Sequence, residues 1–135
     1  MSRSGYNENI DDTWSLIRWR GAVASSIRGM RGQAFLIELR DALDALDNKR
    51  LIANDLESHG EVCAIGALGK KRGVDMSRID PDDSETVAGT FNIAHALACE
   101  IEFENDEGGG WKETPEHRFT RMRQWVDGLI DKEST

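Results

Sequence analysis

The stretch that decides the fold is Asp80 to Phe103, DPDDSETVAGTFNIAHALACEIEF. It opens on an acidic cap, with proline at the first helical position and carboxylates beside the positive end of the helix dipole. Val87, Phe91, Ala94, Ala98 and Ile101 then recur at spacings of 4, 3, 4 and 3, which is the helical period. The spacing predicts one helix running to about Phe103. Thr114-Pro115-Glu116 repeats the start signal. Phe119, Met122, Val126 and Leu129 continue it, with Trp125 and Ile130 broadening the apolar face.

The same period holds towards the N-terminus. Leu16, Trp19, Val23, Ile27 and Met30 form one stripe, and Leu36, Leu39, Leu43 and Leu46 another. Gly29 and Gly32 between them predict a left-handed helix end, so the two helices read as an αα-hairpin. Segment 49–74 is ambiguous. Lys49 to Ala53 reads as a strand or a helix start, Ser58-His59-Gly60 as a turn, and Glu61 to Leu68 as a buried apolar run. Short helices with glycines at tight crossings are the favoured reading, with short strands possible within 49–68. The expected fold is therefore a mainly helical, all-α single domain over 1–135, with about five helices around one core. Residues 1–10 are expected to be a flexible arm and 132–135 a frayed tail.

Composition narrows the functions. The 135 residues carry a formal charge of −8. Between Ile79 and Trp111 there are nine carboxylates and no Lys or Arg. So concentrated an acidity disfavours direct nucleic-acid binding, which draws its free energy from Lys and Arg. No apolar run is long enough for a membrane helix, and the polar first residues do not read as a signal peptide. Cys63 and Cys99 lie outside any CxxC, so a disulfide framework is not expected and a reducing cytoplasm fits.

No catalytic motif stands out. His95 and Cys99, four apart, share a helix face, but two residues fall short of the four ligands of a structural zinc site. No GxSxG and no activated-cysteine signature is present. No metal, cofactor or catalytic residue is expected, and an enzyme, metal-assisted or otherwise, is the least favoured reading.

Two segments stand out as binding sites. Glu102, Glu104, Asp106 and Glu107 crowd a predicted helix C-terminus, where carboxylates oppose the dipole. A local conflict of this kind points to use. Together with Asp82, Asp83 and Trp111, a tryptophan behind a three-glycine loop, they form the expected partner-binding surface. The alternative is an anion site. Gly66 and Gly69 lie beside Lys70, Lys71 and Arg72, with Arg78 further on, and glycine lets backbone N–H groups approach an anion. Arg18, Arg20, Arg28, Arg31 and Arg40 near the first hairpin are expected mainly to pair with the acidic excess.

Five stretches taken together resemble a family of small proteins encoded by tailed bacteriophages and prophages: Trp19 to Val23, Arg31 to Leu36, Lys49 to Ala53, Gly60 to Gly66, and Glu104 to Glu107. The resemblance spans roughly residues 2 to 128. It implies no catalytic residues, only a setting: the cytoplasm of an infected bacterium and an accessory role. The expected function is a non-enzymatic protein whose acidic surface binds and inhibits a host protein or nucleoprotein complex, for example a defence complex such as a CRISPR effector. The first alternative is a sponge for a nucleotide or other small anion. A homo-oligomer through the alanine-rich face of 94–98 stays open.

Overall fold

In the computed structural model, residues 3–4 and 13–132 are described. Among them, six α-helices and one two-stranded hairpin enclose a single core. The chain is mainly helical, as the periodicities predict.

Helix α1 (Thr13–Arg28) and helix α2 (Met30–Asp44) are joined by Gly29 alone. Gly29 takes an extended conformation, φ −67° and ψ 160°, not the left-handed cap its residue type suggests. Gly32 is needed for a different reason, since a Cβ there would stand 1.7 Å from the carbonyl oxygen of Ser26. Phe35, Leu36, Leu39 and Leu43 turn inward from α2, which packs against two later helices.

The ambiguous segment resolves into a hairpin and a helix. Strands β1 (Glu57–Ser58) and β2 (Glu61–Val62) pair antiparallel. His59 and Gly60 link them with φ of 53° and 81°, the two positive values a type I′ turn requires. Helix α3 (Ala64–Arg72) follows, its N-cap Cys63 accepting from the Gly66 amide. Gly73, at φ 74°, ends it in the left-handed conformation. A short 3-10 turn, Met76–Arg78, leads on.

The decisive stretch departs from its reading. Its spacing predicts one helix from Asp80 to Phe103, and two are found: α4 (Ser84–Phe91) and α5 (His95–Glu107). The break is Asn92, left-handed at φ 58°, a conformation that asparagine tolerates better than most residues. The start signal also acts later than expected. Asp83, not Asp80, is the cap, its carboxylate accepting from the Thr86 amide. Helix α6 (Pro115–Leu129) begins as predicted, with Thr114 capping the His117 amide.

The expected arm over 1–10 needs correction where it is described. Arg3 and Ser4 are buried, because Arg3 is drawn into an ion-pair site on α5. The remainder of that arm and residues 133–135 lie outside the described residues, as do Asp11 and Asp12, whose carboxylates ahead of the Leu16 stripe predict a helix cap.

Candidate functional site

The predicted acidic surface is largely taken apart by the fold. Glu102 is 1 % exposed, and the Asp106 side chain is almost as enclosed. Both face Arg3, far away in the chain. Arg3 Nε donates to Asp106 Oδ2 at 2.6 Å and Nη2 to Oδ1 at 2.9 Å, the forked pairing that suits guanidinium and carboxylate. Arg3 Nη1 lies 3.5 Å from Glu102 Oε2, beyond a good hydrogen bond. Arg3 Nη1 and both Glu102 oxygens have no hydrogen-bond partner among the described residues. Burial pushes the Glu102 carboxyl up to about 7; Arg3 pulls it down, and Asp106 and Asp82 add to the rise.

Glu104 is also occupied, pairing with Arg121 Nη1 at 3.1 Å. Of the four, only Glu107 is exposed and without an ion pair among the described residues. Of the carboxylates expected to form a partner-binding surface over 102–107, Glu102 and Asp106 are therefore enclosed instead. Helical geometry turns Glu102 and Asp106, four residues apart, to one inner side, and buried charges have to find partners.

Asn105, which the sequence did not single out, organises the surroundings. Its Oδ1 accepts from the Ala64 amide at 3.0 Å, and its Nδ2 donates to the Ile52 carbonyl at 3.0 Å. Its own carbonyl accepts from Arg118 Nε and Arg121 Nη2. Buried Arg118 also donates to the Leu51 carbonyl at 3.0 Å. One side chain and one peptide group thus join α3, α5, α6 and the 51–52 loop. Asp106 is fixed in the same way, accepting from the Asn54 amide and from Asn105 Nδ2.

The other acidic stretch stays bare. Asp80, Asp82, Asp83 and Glu85 are all exposed, and among the described residues none forms an ion pair. Arg72 pairs with Glu38, Arg123 with Asp44, and Arg50 with Glu61 and Glu116. Of the five arginines near the first hairpin expected to pair with the acidic excess, Arg40 does so, with Asp127, whereas Arg18, Arg20, Arg28 and Arg31 form no ion pair among the described residues. Trp111 is 88 % exposed, with Lys112 Nζ 4.8 Å from its ring centroid.

The anion-site alternative loses its geometry. Gly66 and Gly69 are not in a loop but buried inside α3. A Cβ on Gly66 would meet the Leu56 carbonyl oxygen at 2.0 Å, and one on Gly69 the Met76 sulfur at 2.6 Å. These are tight crossings, as the reading of short helices expects. Lys70, Lys71 and Arg72 form the last turn of α3, where carbonyl oxygens are presented and cations offset the dipole. Arg72 is bound to Glu38, and Arg78 pairs with Asp75. A cavity of about 230 Å³ lies instead where α2 and α5 begin, with Ser26, Arg31 and Leu97 among its walls.

His95 has unexpected company. Ser84 Oγ lies 2.7 Å and Cys99 Sγ 3.4 Å from its Nε2, and Trp19 packs edge-on against the ring. Burial raises the Cys99 pKa, so the thiol stays protonated. Among the described residues no group bonds His95 Nδ1, so none of them takes the orienting position of a nucleophilic triad. No cluster of three potential ligands is disposed to hold a metal among the described residues, and no helix is long and apolar enough to cross a membrane. No family model, curated protein or solved structure matches the chain.

Proposed function

We propose that this protein is a non-enzymatic interaction protein that holds a basic macromolecular partner on the acidic stretch, Asp80 to Glu85, that leads into α4. The observation that carries the reading is the uneven use of cations. The fold pairs Arg40, Arg72 and Arg123 with carboxylates elsewhere, while among the described residues Asp80, Asp82, Asp83 and Glu85 are exposed and form no ion pair. Unneutralised carboxylates on one short stretch steer association with a basic surface. Trp111 supplies an exposed aromatic of the kind that anchors interfaces. In the setting that the phage resemblance implies, the partner is a host protein or nucleoprotein complex, with its basic groove covered and its activity inhibited.

The test is affinity capture of the tagged protein from infected host cells, followed by binding measurements with the recovered complex. Replacing Asp80, Asp82 and Asp83 by Asn and Glu85 by Gln keeps the helix cap, since asparagine also caps. The substituted protein should bind more weakly and with a shallower salt dependence. Equal affinity and an equal salt slope would remove the acidic face from the reading.

A further inference from the structure

The buried site on α5 has the form of a receptor already holding a ligand. Asp106 is positioned independently of Arg3, by the Asn54 amide at 3.0 Å and by Asn105 Nδ2 at 2.8 Å. It therefore presents two oxygens as a fixed fork, and the group seated on them is a guanidinium. The opposite wall is Glu102, whose carboxylate is 1 % exposed and receives no hydrogen bond at either oxygen among the described residues. The buried Arg3 Nη1 has none either. The seat thus offers more acceptor capacity than Arg3 uses. An ion pair serving stability alone gains little from unsatisfied buried oxygens, since apolar residues of similar volume commonly do as well. The surplus suits a group that can sit deeper and bond both carboxylates.

We propose that Glu102 and Asp106 form a guanidinium-binding site, occupied in cis by Arg3 and open in exchange to an arginine side chain of a binding partner. The ligand class follows from the fork. A planar group with parallel N–H bonds satisfies Asp106 at two points, whereas an ammonium is a point charge and does not. Helix α4, which the bare acidic stretch leads into, packs against α5, so the seat lies on the helix next to the stretch proposed to meet the partner. Only the source of the incoming arginine rests on that functional reading. The seat itself stands on its own geometry.

The experiment uses the full chain carrying Arg3→Ala, with N-ethylguanidinium, ethylammonium and sodium chlorides as probes at matched low ionic strength. The melting temperature of Arg3→Ala should rise with N-ethylguanidinium and not with ethylammonium, while the wild type responds to neither. Asp106→Asn in the Arg3→Ala background should abolish the rise. If Arg3→Ala does not fold unaided, its refolding yield replaces the melting temperature as the readout, with the same ordering of probes. An acetylated, amidated Ser-Arg-Ser peptide should bind Arg3→Ala about ten-fold or more tighter than wild type, because the cis occupant competes, and Ser-Lys-Ser should not. Equal responses to the two organic cations, or no response to either, would overturn the seat. Peptide binding that persists while the substitutions over Asp80 to Glu85 leave partner capture unchanged would keep the seat and discard the functional reading.

Discussion

At Gly66 an added Cβ would stand 2.0 Å from the Leu56 carbonyl oxygen and 2.9 Å from its carbon. Both are backbone atoms of a neighbouring loop, so neither can rotate away. Gly66→Ala should therefore force α3 off the hairpin and cost about 3 kcal/mol, the upper range for overpacking a core. Gly21 is the opposite case. It lies inside α1 on the exposed side, and a methyl group there would meet nothing within 4 Å. Gly21→Ala should raise stability by about 1 kcal/mol, because glycine in a helix interior carries that penalty relative to alanine. Urea unfolding of both variants checks the pair; a neutral Gly66→Ala would show that α3 shifts freely against the loop. At this scale the sequence is ambiguous. Glycine beside lysine reads equally as an anion loop or as a helix crossing, and only the neighbour at Leu56, earlier in the chain, separates the two.

Between elements, Asn105 does the joining. Its side chain holds the Ala64 amide at the start of α3 and the Ile52 carbonyl of the loop before β1. Asn105→Ala leaves the buried Ala64 amide and the part-buried Ile52 carbonyl unpaired, and an unsatisfied buried group costs about 1–3 kcal/mol. We expect a loss of about 3 kcal/mol in urea unfolding. The Ala64 amide should also exchange its hydrogen faster than its helical neighbours; unchanged protection there would mean that another acceptor replaces the asparagine. The helices themselves were legible because burial on one face imposes the 3.6-residue period, and the Thr114-Pro115 start could be read for the same local reason. The break at Asn92 was not legible, since Val87 and Phe91 before it and Ala98 and Ile101 after it all remain buried and the stripe shows no gap. Asn105 was hidden by its neighbours: one polar residue among acidic ones carries no period. Arg3 was less legible still, as its nearest partner, Asp106, is 103 residues away.

For the whole molecule, the consequence of this charge arrangement is a stability that falls towards both ends of the pH range. Arg72 donates to Glu38, Arg123 to Asp44 and Arg121 to Glu113, and each carboxyl is held below its ordinary value. These groups favour the fold once ionised, so their contribution is lost as pH falls through their folded pKa values. Glu102 works in the other direction. Burial raises its pKa from 4.5 to about 7 despite Arg3, with Asp106 and Asp82 adding to the rise. The folded state then binds the proton more tightly than the unfolded state between those values. Its contribution is fully present below pH 4.5 and is lost as pH rises through 7. At 1.36 kcal/mol per pKa unit the loss is about 3 kcal/mol. Glu102→Gln removes the titration while keeping the shape. Urea midpoints measured from about pH 5 to pH 8 should therefore decline for the wild type relative to Glu102→Gln. His59, His95 and His117 are common to both proteins, so the difference between the curves isolates Glu102. Parallel curves would mean that Glu102 stays ionised throughout the window, held by Arg3 in a closer pairing than 3.5 Å.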